Sequence, residues 1–397
     1  MSVALGDRSG FPRLEARAYL GHSAIAPLSS AVEQAIEQVV HDYARRGADA
    51  FMAWHERRAQ LRERVAHLLG GGAEDVDQIG FVANTTTAIS TIALCFPWRA
   101  GDTLLVLRGE FPGNVTPWQR AAELHQLRVE FLDVDDFAGP GGAGLSKLED
   151  RLRGGGVRLI ACSAVQFQNG LRMPLRAIAT LAHQHDAQLF CDAIQGLGVL
   201  DLDVRELGLD YLACGSHKWL MGVEGSALLF VARERLADLR PHTAGWLSHE
   251  HAIDFLFEPG QLRYDRAIRK RADFVEAGAY PTIGLAALAA AIEPLLELGL
   301  ATIEAHVQGY LDELEAGMRE RGLVSLRSEV AEQRSGILSL RPPAGLDART
   351  IQSGLGARGI AMTIPEGLLR FAPHWPNNRR EIPEVLAALD EVLESTR

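Results

Sequence analysis

Only three lysines, Lys147, Lys218 and Lys270, stand among the 40 basic residues of this 397-residue chain; the other 37 are arginine. An amine that is to act as a nucleophile must be neutral, and burial promotes that state by lowering the pKa of lysine. Lys147 lies in a polar pattern beside Glu149 and Asp150, and Lys270 in the basic run RAIRKR. Lys218 alone has an apolar setting, in YLACGSHKWL. Upstream, QLFCDAIQG places Asp192 at the end of an apolar run, with Gln195 three residues on. Farther upstream, IGFVANTTTAISTIA carries an apolar run into Asn84, Thr85, Thr86 and a helical pattern. Free N–H groups and hydroxyls at such a helix entry hold an anion. Each feature also has a plainer use: a solvated turn for the lysine, a helix cap for Asp192, an N-cap for Asn84 or Thr85. Taken together they are the parts of a pyridoxal phosphate site.

Such parts need a frame. Short apolar runs at Gln78–Ala83, Thr103–Leu107, Arg128–Leu132, Val157–Cys162, Gln188–Cys191, Tyr211–Cys214 and Ala227–Val231 read as strands. Helical patterns at Thr86–Leu94, Pro117–His125, Lys147–Arg153 and Leu175–His185 separate them, after two earlier helices at Ala31–Tyr43 and Trp54–Leu69. This alternation predicts an α/β fold, a mostly parallel seven-stranded sheet between helices. Ligands of such sheets sit at the C-terminal strand ends, where Asp192 and Lys218 fall. Beyond Tyr280 the pattern changes to a long helical region, short strands at Val324–Leu326, Gly336–Leu340 and Leu369–Phe371, and a closing helix. The expected division is an N-terminal segment (1–20), a large cofactor-binding domain (21–280) and a smaller α+β domain (281–397).

Composition excludes several classes. With 47% hydrophobic and 23% charged residues the chain is globular rather than disordered. A net charge of -11 argues against a nucleic-acid or anionic-membrane partner. The four cysteines form no CxxC pair, and the first residues show no basic and apolar leader pattern, so a cytoplasmic setting is expected. The Gly-rich stretches at Gly70 and Gly154 follow helical patterns, so a nicotinamide-binding fold is not expected, and the histidine pairs lack HExxH spacing, so no metal is expected.

The motifs ANTTTA, DAIQG and GSHKW, in this order, resemble the class V aminotransferase family of fold type I pyridoxal-phosphate enzymes. The resemblance spans nearly the whole chain. It implies that Lys218 holds the cofactor as a Schiff base and shuttles the α-proton, that Asp192 pairs with the ring nitrogen, and that Gln195 bonds the 3-hydroxyl oxygen. Thr85, Thr86, Ser216 and His217 would line the phosphate, and Phe111 of GEFPGNVTPW would stack on the ring. Trp246 of AGWLS and the loop EAGAYPTIGL would reach a partner's site in a homodimer, with Thr282 standing in where relatives carry a threonine near Ala279. Arg370 of LLRFAPHWPNN would clamp the substrate carboxylate. His22, Gln166 and Asn169 would face the substrate.

The leading expectation is an aminotransferase that moves an amino group between an amino acid and a 2-oxo acid. A β-eliminating or C–S lyase and an epimerase are the alternatives within the family, and a non-catalytic binding protein is the alternative outside it. No cysteine follows Cys214, where related desulfurases carry theirs, so the chain is not expected to be a cysteine desulfurase.

Overall fold

The computed structural model describes residues 3–395. A short β1 (Ala18–Tyr19) precedes two helices, α1 (Ser30–Arg46) and α2 (Phe51–Leu68). Strands and helices then alternate: β2 (Ile79–Val82), α3 (Thr85–Cys95), β3 (Thr103–Arg108), α4 (Thr116–His125), β4 (Arg128–Asp133), α5 (Gly144–Arg153) and β5 (Val157–Ser163). They continue through α6 (Leu175–Gln184), β6 (Gln188–Asp192), α7 (Val204–Leu207), β7 (Tyr211–Gly215) and β8 (Ala227–Val231). The seven strands β2–β8 make one sheet in the order β2-β8-β7-β6-β5-β3-β4. Only β8 runs against its neighbours; the other pairs are parallel. The fold is thus the mostly parallel α/β arrangement that the strand–helix alternation implies.

Burial on both faces explains why these strands read as unbroken apolar runs rather than alternating ones. Strands β6, β7 and β8 are buried along their whole length. In β6, Leu189 and Cys191 enter one core while Phe190 enters the core on the opposite face.

The remaining elements are α8 (Thr282–Leu298), α9 (Leu300–Glu320), β9 (Val324–Ser325), β10 (Leu338–Arg341), α10 (Ala348–Ala357), β11 (Ile360–Ala361), β12 (Leu369–Phe371) and α11 (Ile382–Ser395). The long helical pattern is therefore two helices. They bend by 81° at Gly299, whose φ of 77° lies in the left-handed region that favours glycine. No single helix among the described residues is long and apolar enough to cross a membrane. Strands β9, β10 and β12 form an antiparallel sheet in the order β12-β10-β9. β1 pairs in parallel with β11, so the first residues are stitched to the C-terminal part of the chain. One continuous core runs from Leu197 and Trp219 to Leu369 and Phe371, which fixes the small sheet against the end of the large one.

Candidate active site

The site is built where β5, β6 and β7 end. Register pairs Ser163 of β5 with Asp192 of β6, and Asp192 with Ala213 of β7. Asp192 is 3% exposed and its Oδ1 accepts from Ile194 N at 3.0 Å. Burial, with the Glu110 carboxyl nearby, raises its pKa from 3.8 to about 7. After β7 the chain turns tightly: Met221 N donates to Lys218 O at 2.9 Å and Gly222 N to Ser216 O at 2.8 Å. That turn carries Lys218. Burial lowers its pKa from 10.5 to about 8, against the opposing pull of Asp192 and with help from Arg370. Lys218 is half-buried among the apolar neighbours of its motif.

Around this lysine the other candidates fall into groups. Gln195 is buried; its Nε2 donates to Ser23 O at 2.9 Å and its Oε1 accepts from Trp219 Nε1 at 3.0 Å. One amide N–H of Gln195 remains for a ligand. Thr85 opens α3, capped by Asn84 Oδ1, which accepts from Thr87 N at 2.8 Å. The Thr85 hydroxyl is buried without a hydrogen-bond partner. A Cβ on Gly215 would fall 2.9 Å from that hydroxyl and 3.2 Å from His217 Cε1, so Thr85 and His217 converge on a backbone that must be glycine. Ser216 is spent within the turn, bonding Val223 O and Ser226 Oγ. Thr86 and the Phe111 ring both lie 3.3 Å from where a Gly113 Cβ would stand. The Phe111 ring is half-exposed, and its centroid is 5.9 Å from Lys218 Nζ.

Arg370 comes from the small sheet, paired across β10 with Ser339. It is buried, with Nη1 donating to Phe167 O at 2.6 Å and Nε to Thr363 Oγ1 at 3.0 Å. Burial lowers its pKa to about 10, which leaves it charged at neutral pH. The Phe167 ring packs edge-on against Phe111 at 5.3 Å. A contact chain thus links the guanidinium to the ring beside the lysine.

Other sequence candidates lie apart or are already engaged. His22 packs between Tyr19, Trp219 and His374, with Nδ1 3.0 Å from Ala372 O. Burial holds it neutral, lowering its pKa to about 4. Asn169 Oδ1 accepts from Leu171 N at 3.0 Å and closes a turn. Trp246 is 48% exposed, with its ring against Phe255. Thr282 begins α8 and, with Tyr280, lines a separate cavity of about 250 Å³ against α1 and α2. Gln166 is buried, donating Nε2 to Glu110 Oε1 at 3.2 Å. Glu110 is the residue that sequence reasoning missed, although it precedes Phe111 in the same motif. Its partners Ser163 and Gln166 lie more than fifty positions away, so only a carboxylate just after a strand end could have signalled it.

Fold and site bring one lysine and a buried acid to the strand ends of an α/β sheet, with a helix entry and a buried arginine nearby. The chain belongs to the aminotransferase class-V family, which matches residues 18–367. Pyridoxal phosphate is the cofactor of that class, and three features fit it: the unpartnered Thr85 hydroxyl, the Gly215 backbone that only a missing Cβ leaves open, and the Asp192–Lys218 pair. An uncharacterized aminotransferase, YcbU of Bacillus subtilis, is 25% identical over 98% of this chain and 97% of its own. A probable cysteine desulfurase of Methanothermobacter thermautotrophicus is 27% identical over 97% of both chains. A solved structure of a C-DES variant with glycine covalently linked to its PLP cofactor superposes with a TM-score of 0.87 at 23% identity, over 96% of this chain and 98% of that one.

These relatives correct one expectation. The chain is not set apart from cysteine desulfurases by the lack of a cysteine after Cys214, because proteins of that name match it nearly end to end and share its fold. The expectation rested on where a thiol falls in sequence. A thiol acceptor can also come from another molecule, so its position in one chain does not define the reaction.

Proposed function

We propose that this protein is a pyridoxal-phosphate enzyme acting on an α-amino acid at Lys218, with amino-group transfer to or from a 2-oxo acid as its reaction. The observation that carries this reading is the half-buried Lys218 amine, its pKa lowered to about 8, beside a buried acid and a buried arginine. When bound, the cofactor supplies an electron-withdrawing ring that takes up the electron pair released at the substrate α-carbon. The protein does the rest. Arg370 offers its unspent guanidinium N–H groups to the substrate carboxylate, a planar fork against a planar acceptor. Lys218 removes the α-proton and returns it, and where it returns the proton separates transfer from racemisation. With the cofactor in place, Asp192 would hold a proton at the ring nitrogen, the free N–H of Gln195 would serve the 3-oxygen, and Phe111 would pack against the ring. Thr85, Thr86 and His217 cradle the phosphate at the α3 entry.

A second reading, cleavage of a carbon–sulfur bond, is supported by the relatives named cysteine desulfurase. The same groups serve it, since removal of the α-proton precedes loss of a β-substituent. The exposed Trp246 and the Tyr280 loop support a homodimer in which each chain completes its partner's site.

A panel of amino acids offered to the yellow, cofactor-loaded protein tests the reading. Transfer is expected to give one equivalent of 2-oxo acid as the cofactor is converted to its amine form, with turnover when a second 2-oxo acid is added. Pyruvate and ammonia, or sulfide or persulfide from cysteine or cystine, would contradict transfer in favour of carbon–sulfur lysis or elimination. Inversion of configuration without either product would contradict both.

A further inference from the structure

Behind Asp192 stands a second buried carboxyl. Glu110 is 8% exposed and follows the end of β3. Its Oε1 accepts from Ser163 N at 2.7 Å and from Gln166 Nε2 at 3.2 Å, and its Oε2 bonds the Ser163 hydroxyl. Ser163 is the residue paired with Asp192 across β5 and β6, and the next residue, Ala164, donates its N–H to Asp192 O at 2.8 Å. Glu110 is therefore clamped to the same strand edge that carries Asp192. Burial raises the pKa of this carboxyl, and the contacts from Ser163, Gln166 and Asn114 oppose that rise; two N–H donors on one oxygen and a hydroxyl on the other are what an ionised carboxylate collects.

We infer that Glu110 is a positioning residue that acts through Asp192: its buried charge strengthens the hold of Asp192 on a proton at the cofactor ring nitrogen. This rests on the reading of Lys218 and Asp192 as the cofactor site. A like charge nearby disfavours a lone carboxylate and favours any cation paired with it. A protonated ring nitrogen against Asp192 is such a cation, so Glu110 sharpens the ring's capacity to accept electrons. The charged and titratable groups around the pair are Lys218, with Arg370 beyond it, and the Cys162, Cys191 and Cys214 thiols, which burial keeps protonated. Lys218 and Arg370 act on the substrate side of Asp192, whereas Glu110 alone adds negative charge from the strand edge. The same clamp turns the Gln166 amide so that its Oε1 is buried without a partner.

The test uses Glu110→Gln, which keeps the shape and can keep all three contacts while removing the charge. Wild type and variant are loaded with pyridoxal phosphate labelled with nitrogen-15 in the ring, and the ring-nitrogen chemical shift is followed against pH. The expected result is a deprotonation midpoint lower by about one pH unit in Glu110→Gln, or about a tenfold loss of proton affinity. An unchanged midpoint would overturn the inference and leave Glu110 with packing alone. Should Glu110→Gln fail to fold, Ser163→Ala removes one donor that stabilises the Glu110 charge and is expected to move the midpoint the same way by less; no movement overturns the inference. A wild type that takes up no cofactor would instead contradict the underlying site.

Discussion

The C-terminal edge of the large sheet and the stretch from Trp246 to Thr282 carry similar kinds of residues, aromatic rings among arginines and acids, yet they are built in opposite ways. Around the sheet edge, Asp192, Gln195 and Arg370 are all buried; Asp192 accepts from Ile194 close by, while Gln195 and Arg370 are held by hydrogen bonds to distant parts of the chain. In the second stretch several large apolar side chains face outward: Tyr264 is 88% exposed, and Phe257 and Leu262 are exposed with it. That stretch is anchored at its root. Glu276 is buried, accepting from Arg62 at 2.9 and 2.7 Å and from Phe81 N at 3.1 Å, while the Arg58 guanidinium lies 3.1 Å from the Tyr280 ring centroid. Chemistry at a single atom is placed by strand register inside one chain. The exposed stretch is held at its base.

The contrast can be broken first at that base. Glu276→Ala would leave the buried Arg58 and Arg62 without their counter-charge, a loss of about 3–5 kcal/mol of stability. Denaturant unfolding measures it, and a loss below about 1 kcal/mol would show that the root is not what holds the loop. The next effect is electrostatic and belongs to the sheet edge. Cofactor capture needs the neutral amine, so its rate in the apoprotein is expected to rise with pH through a midpoint near 8, far below the ordinary 10.5 of lysine. Stopped-flow absorbance across that range checks this, and a midpoint near 10.5 would mean that Lys218 is not desolvated.

A smaller change is expected for Arg370→Ala: KM for the amino acid rises about 10- to 100-fold, the value of a lost charged hydrogen-bond pair, while the yellow band stays. Loss of the band would make Arg370 a structural residue. The smallest effect on one chain alone is that of Trp246→Ala. Its melting temperature should barely move, since the ring buries little within the chain, while the proposed homodimer is expected to dissociate at a higher protein concentration, as measured by sedimentation. An unaltered association constant would remove Trp246 from the interface.

How far the sequence reveals these regions differs for the same physical reason. Ala227–Val231 and Leu369–Phe371 are strands over the residues that their apolar runs predict, because buried strands are bounded sharply by polar or turn residues. Asp192 and Lys218 are legible for a related reason, since strand ends fix where such side chains stand. The break at Gly299 is marked by a single glycine within an otherwise continuous helical pattern. Glu110 and Thr363 become visible only through partners distant in sequence, Ser163 and Arg370. The neighbours of His22 come from Trp219 and His374, which no local spacing brings together.

The central claim, that one lysine of three was made for this chemistry, has a direct test. The protein is loaded with pyridoxal phosphate, reduced with borohydride, digested and mapped by mass spectrometry. The account predicts the reduced cofactor on the peptide containing Lys218, with Lys147 and Lys270 unmodified. Label on either of those lysines in place of Lys218, or none at all, would contradict it.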